Sequence, residues 1–251
     1  MKKYIKKIDI FFIECYNKRA MEKNINIEKY YNVITQEKKE IFEYFRALLL
    51  EYNAKYNLTA IVEEQDILYK HFLDSALGAD FFTKDAKVAE IGSGAGFPSI
   101  PLKIIRPDLA FDLFESVGKK CEFLSVVVDK LGFQKMNIYT MRAEDAARDA
   151  VFREKYDHST ARAVARMNTL CEYCLPFVKK GGSFIAYKSG EIAELNEAKN
   201  ACKILGGEIE KIKEYALPLD YGKRTVAVVK KVKNTPPKYP RGQGKERKNP
   251  L

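Results

Sequence analysis

One stretch limits the possible folds of this chain more than any other. It is Lys87-Val-Ala-Glu-Ile-Gly-Ser-Gly-Ala-Gly-Phe-Pro98, an apolar run that breaks into Gly92, Gly94 and Gly96. Val88 to Ile91 read as a buried strand, and Pro98 suits the first turn of a following helix. Glycines between a strand and a helix permit a tight turn and let the backbone approach a ligand that a Cβ would push away. The loop is therefore read as a ligand seat.

Its spacing does not name the ligand. A dinucleotide fingerprint runs Gly-x-Gly-x-x-Gly, with a pyrophosphate on the helix N-terminus. Here the third glycine comes one residue early and Phe97 stands where that fingerprint needs glycine. Gly-x-Gly-x-Gly after the acidic Glu90 looks instead like the S-adenosylmethionine loop of Rossmann-like methyltransferases. Ala110 to Glu115 reads as the second strand, ending in an acid 23 residues beyond Gly92. Such an acid can accept both ribose hydroxyl protons, and does so equally well in NAD proteins. On the loop alone, S-adenosylmethionine, NAD and a merely structural turn all stay open.

Beyond the loop the pattern alternates. Helices are expected over 98–106, 118–131, 168–178 and 191–205, and strands over 110–115, 137–141, 156–163, 182–188, 208–215 and 224–232. Alternation of this kind predicts an α/β fold with a doubly wound, mostly parallel sheet, whose ligands sit at the carboxyl ends of the strands. Ahead of the glycine loop, apolar positions 34, 41, 42, 45, 48, 49, 52 and 56 follow helical spacing. A second helix is expected from about Glu63 to Phe82, giving an N-terminal helical cap. His71, without an acid/base pair around it, is read as an anchor of this cap rather than a catalyst.

At 251 residues and 46% hydrophobic, the chain can bury one substantial core. The net charge of +10 is carried by the ends: residues 1–20 hold +4 and residues 233–251 hold +5, leaving +1 for the rest. Residues 1–20 do not read as an export leader, because Asp9 and Glu14 interrupt the apolar run. They are read as a dispensable extension, with Met21 as a natural beginning. Five scattered cysteines point to a reducing cytoplasm, and no apolar run is long enough to span a membrane. Cys171-Glu-Tyr-Cys174 lacks a second pair or nearby histidines, so it is read as two core cysteines on a helix, and no metal is expected. The resulting division is 1–20 extension, 21–82 cap, 83–232 cofactor-binding domain and 233–251 tail. The tail, with four prolines and six cations around Tyr239, is expected to be mobile and to contact RNA phosphates without affecting cofactor affinity.

Several motifs together carry a more specific resemblance. Tyr56-Asn-Leu-Thr-Ala-Ile61, His71-Phe-Leu-Asp-Ser75, Ile91 to Pro101, Arg142-Ala-Glu144, Thr160 to Arg166 and Asn234 to Arg241 resemble, in order, the RsmG (GidB) family of small-subunit ribosomal RNA guanine-N7 methyltransferases. The resemblance runs from about Met21 to the C-terminus. It implies a Rossmann-like class I methyltransferase fold, S-adenosylmethionine as cofactor, and methylation of N7 of one guanine in 16S rRNA; the enzyme is expected to be cytoplasmic and monomeric. It also implies that Gly92, Phe97, Ala143, Glu144 and Arg162 contact the cofactor, Arg162 by pairing with its carboxylate or by meeting RNA. Glu115 joins them from the ribose argument above, although many relatives carry the shorter aspartate there.

What the chain lacks agrees with that chemistry. The place of the Asn/Asp-Pro-Pro-Tyr/Phe loop of exocyclic-amine methyltransferases reads Thr160-Ala-Arg-Ala163, and no cysteine follows a proline as in many pyrimidine-carbon enzymes. Guanine N7 already presents a lone pair, so alignment rather than a general base is required, and none is assigned. Arg166 and Lys188 are candidate RNA contacts. An NAD-dependent oxidoreductase and a non-catalytic RNA-binding factor of the same fold are the alternative functions.

Overall fold

The computed structural model describes residues 35–190, 192–218 and 220–251. The basic stretch 1–20 and the beginning at Met21 lie outside the described residues.

Helix α1, Gln36–Tyr56, begins where the Thr35 hydroxyl accepts from the Lys38 N–H and ends at Asn57 in the left-handed region. Phe42, Phe45, Leu48 and Leu49 make its buried face, as the helical spacing requires. The next helix, α2, has three consecutive parts, Glu64–Asp66, Ile67–Leu73 and Asp74–Ala76, the middle one wound as a π-helix. Side chains engage its carbonyl ladder there: Arg162 donates to the Lys70 carbonyl at 2.9 Å and the Ser75 hydroxyl to the His71 carbonyl at 2.6 Å. The helix stops at Ala76, short of the expected Phe82, and a turn through Gly78 leads to a short 3-10 helix at Ala79–Phe81. A Cβ on Gly78 would stand 2.0 Å from the hydroxyl of Tyr187, which donates to the Ser75 carbonyl at 2.9 Å.

The sheet has seven strands: β1 Lys87–Ile91, β2 Ala110–Glu115, β3 Met136–Thr140, β4 Tyr156–Arg162, β5 Val178–Lys188, β6 Gly207–Ala216 and β7 Lys223–Lys231. Their spatial order is β3-β2-β1-β4-β5-β7-β6. All pairs from β3 to β5 are parallel, whereas β7 runs antiparallel to both β5 and β6. β6 and β7 follow each other without a crossover helix, which permits only an antiparallel pair. Between the strands lie α3 Ser99–Ile105, α4 Gly118–Lys130, α5 Ala143–Ala146, α6 Met167–Cys174, α7 Ile192–Glu197 and α8 Lys199–Ile204.

Alternation along β2 shows how the two faces fill. Phe111 and Leu113 enter the core shared with α1, α3 and α4, while Phe114 enters the opposite core with α6 and α8. Cys171 and Cys174 lie fully buried on α6. The chain winds outward from β1 through β2 to β3 and then returns to β4 on the other side, so a crevice opens between β1 and β4 at their carboxyl ends.

Residues 233–251, expected from composition to be mobile, are packed against the body of the fold in this structure. Lys231, with no side-chain exposure, donates to the Leu175 carbonyl at 2.6 Å and to Thr235 at 2.7 Å, and pairs with Glu154 at 3.1 Å. Arg153 grips the Thr235 and Tyr239 carbonyls at 2.8 and 2.9 Å, and Tyr239 is buried in the second core. A last short helix, α9 Lys245–Lys248, follows. Composition suggested a solvated tail, because the partners that hold it come from distant parts of the chain.

Candidate active site

The turn after β1 is held by its own chain and by β2. The N–H groups of Gly92 and Ser93 donate to the Phe114 carbonyl at 2.8 and 3.4 Å, and those of Gly96 and Phe97 to the Ser93 carbonyl at 2.8 and 3.4 Å. The Gly94 N–H donates to Glu115 Oε2 at 2.9 Å. N–H groups that are satisfied within the loop and by β2 in this way are not offered to a pyrophosphate. Gly92 has a φ of +67°, and a Cβ there would lie 2.7 Å from Val164 Cγ2, so glycine is required by both conformation and space.

Beside this turn lies a cavity of about 380 Å³, within the roughly 300–1,000 Å³ usual for small-molecule sites. Gly92, Glu115, Ala143 and Glu144 line it, together with the apolar Ile91, Phe114, Met141 and Val164. The turn after β1 supplies Gly92, β2 ends at Glu115, and the start of α5 supplies Ala143 and Glu144. Four of the six residues marked in the sequence therefore meet in one cavity.

Both carboxylates retain acceptor capacity. Glu115 takes one N–H on each oxygen, Gly94 on Oε2 and Val117 on Oε1, both at 2.9 Å, and a carboxylate has about four lone-pair sites. Glu144 is 9% exposed and accepts no hydrogen bond among the described residues. Two acceptor carboxylates beside the apolar walls of Ile91, Phe114, Met141 and Val164 match a nucleoside, which brings hydroxyl and amine donors and flat apolar faces.

Phe97 and Arg162 do not line this cavity. Their mutual partner is the cap: Phe97 stacks on His71 at 4.1 Å between ring centres, and the Arg162 guanidinium lies 5.0 Å from the Phe97 ring. Arg162 donates to Asp74 at 2.9 Å and its NH2 lies 2.7 Å from His71 Nδ1. Arginine has no acceptor, so His71 Nδ1 must accept and Nε2 carries the hydrogen toward the Thr59 hydroxyl, 3.1 Å away. Burial, with the charge of Arg162, pushes the His71 pKa down to about 3, so the ring is neutral. His71 thus has the anchoring contacts expected of it, while Arg162 is engaged by the cap rather than directed at the cavity. Behind the turn, Glu90 is fully buried, accepts from the Ser99 N–H at 3.2 Å, and has its pKa raised to about 7 chiefly by burial.

The two basic candidates for RNA contact are also engaged. Lys188 donates to the Ala165 carbonyl at 3.0 Å and pairs with Glu194 at 2.9 Å, and Arg166 pairs with Glu197. The cavity has further walls that pattern reading did not mark: Arg142, Tyr173, and, from the tail, Gly244 and Arg247. Arg142 adjoins the Ala143-Glu144 motif and was within reach of sequence reasoning. Nothing in the composition of the tail connects Gly244 and Arg247 to a cavity 100 residues earlier in the chain.

Comparison with known proteins agrees with this architecture. The profile of the family described as rRNA small subunit methyltransferase G matches residues 38–220. The chain is 46% identical to the Ribosomal RNA small subunit methyltransferase G of Brevibacillus brevis over 87% of this chain and 93% of that protein. It is 45% identical to the protein of the same name from Acetivibrio thermocellus over 87% of this chain and 90% of that one. Among solved structures, a SAM-dependent O-methyltransferase from Thermotoga maritima superposes with a TM-score of 0.51 at 13% identity, covering 75% of this chain and 73% of that one. TYW2 from M. jannaschii gives 0.51 at 14% identity, covering 69% and 80%. The structural likenesses bear on the fold alone, whereas the sequence matches span most of both partners: the chain belongs to the rRNA small subunit methyltransferase G family.

Proposed function

We propose that this protein uses S-adenosylmethionine to methylate N7 of a guanine in the 16S rRNA of the small ribosomal subunit. The observation that carries this reading is the cavity beside the glycine turn, which pairs two acceptor carboxylates with a loop in which the N–H groups of Gly92, Ser93, Gly94, Gly96 and Phe97 already have partners. A sulfonium nucleoside has no phosphate and needs acceptors for its ribose and adenine, whereas NAD needs free N–H groups at the turn. Bound there, the cofactor supplies an electrophilic methyl group.

The chain's own residues bind and orient. Glu115 takes the ribose hydroxyls, Glu144 and the backbone of Ala143 take the adenine edge, and Gly92 lets the loop lie against the nucleoside. Phe97 and Arg162 act one layer back, bracing the turn against the cap through His71 and Asp74. No side chain has to remove a proton, because the N7 lone pair attacks directly; the site's work is alignment and exclusion of water.

The test is to incubate the protein with methyl-labelled S-adenosylmethionine and small subunits from cells lacking the modification, then map the label. Label on N7 of one 16S guanine supports the reading. No incorporation, or label on another atom, overturns it.

A further inference from the structure

The tail reaches the cavity, and it does so through contacts that are unusually well buried for a segment of its composition. Arg241 is held by Glu172, which is 1% exposed on its side chain: the backbone N–H donates to Oε1 at 2.8 Å and NH2 to Oε2 at 2.7 Å. Glu246 is completely buried, accepts from the Gly242 N–H, and its carbonyl accepts from the Thr169 hydroxyl at 3.0 Å. Arg148 donates to the Pro240 carbonyl at 2.8 Å, and it packs so closely that a Cβ on Gly242 would meet its NH2 at 2.4 Å.

Both anchoring residues, Thr169 and Glu172, belong to α6. The residue after Glu172 is Tyr173, which lines the cavity with Gly244 and Arg247. One helix therefore holds the tail with one residue and faces the cavity with the next.

We propose that residues 241–248 are a structural part of the nucleoside cavity, a docked clasp whose Arg247 and Tyr173 close the wall beside Glu144, so that tail docking and cofactor binding stabilise each other. The proposal rests on the reading of the cavity as the S-adenosylmethionine site. A wall that exists only in the docked state gives the ligand a differential affinity for that state, and the coupling is reciprocal. It also replaces the expectation that the tail could be removed without consequence for the cofactor.

Two measurements with S-adenosylhomocysteine test it. By calorimetry, deletion of 241–251 combined with Glu172→Gln, which leaves no unpaired buried charge, weakens binding by about tenfold or more, and Arg247→Ala in the full chain weakens it by about three- to tenfold. In the unaltered full chain, saturating nucleoside slows trypsin cleavage after the exposed Lys245, Arg247 and Lys248. The second measurement decides the matter even if the deletion variant fails to fold. Wild-type affinity in both variants, or cleavage of the tail at a rate indifferent to the nucleoside, overturns the clasp while leaving the cofactor reading intact. A wild-type chain that binds no S-adenosylhomocysteine overturns both.

Discussion

Glu144 and Glu115 share a charge and a cavity but carry different structural duties. Glu144 accepts no hydrogen bond among the described residues, so Glu144→Gln removes an acceptor without disturbing the fold. Loss of a hydrogen bond to a charged group costs about 1.5–3 kcal/mol. Calorimetry of this variant should show S-adenosylhomocysteine binding weakened by roughly ten- to a hundredfold with an unchanged melting temperature. Glu115→Gln should lose both affinity and stability, because its two oxygens also hold the Gly94 and Val117 N–H groups.

Glu90 shows the opposite balance. Its folded pKa of about 7 exceeds the ordinary 4.5, so the native state binds the extra proton between these values. Its contribution to stability is full below pH 4.5 and is lost as pH rises through 7, by about 3 kcal/mol in order of magnitude. Glu90→Gln should therefore gain stability relative to wild type between pH 5 and pH 8, read as a difference in urea midpoints. His71, depressed to about 3, works in reverse: its contribution is full above pH 6.5 and is lost as pH falls toward 3. A Glu90→Gln variant whose midpoint tracks wild type across this range would contradict the assignment.

At the scale of elements, the cap and the sheet are joined by one polar cluster. Asp74 on α2 pairs with Arg162 at the end of β4 at 2.9 Å and with Arg224 on β7 at 3.7 Å, and Tyr215 on β6 donates to it at 3.3 Å. Removing one partner from a buried pair leaves an uncompensated charge and typically costs about 3–5 kcal/mol. Asp74→Asn should lower the unfolding free energy by about 3 kcal/mol in urea titrations, and a change under 1 kcal/mol would show that the cap is held by its apolar face alone.

The elements themselves were readable because their signals are local. The spacing of Phe42, Phe45, Leu48 and Leu49 specifies α1, and glycines between an apolar run and a helix specify the turn after β1. The end of α2 was not readable, since it depends on Tyr187 packing against Gly78 from more than 100 residues away. The partners of Arg162 were not readable for the same reason: the family resemblance implied a contact with cofactor or RNA, and only the fold reveals its bonds to Lys70, His71 and Asp74 on α2.

For the whole molecule, the distribution of charge along the sequence is a poor guide to its role. Six cations in 233–251 suggested a free arm, yet Arg241 is paired with Glu172 and Arg247 stands at the cavity. The exposed Lys238, Lys245 and Lys248 remain on the outer face of a docked segment. Phosphate contacts made by cations release counterions, so Lys245→Ala with Lys248→Ala should flatten the salt dependence of rRNA binding by about two in the log–log slope. The nucleoside affinity of that double variant should stay at wild type, in contrast to Arg247→Ala.

The central claim is that the cavity beside the glycine turn takes a nucleoside through carboxylate acceptors and not a dinucleotide through free N–H groups. Parallel calorimetric titrations of the purified full chain with S-adenosylhomocysteine and with NAD test it most directly. The account predicts saturable one-site binding of S-adenosylhomocysteine, weakened in Glu144→Gln, and no binding of NAD. Saturable binding of NAD that S-adenosylhomocysteine fails to displace would contradict it.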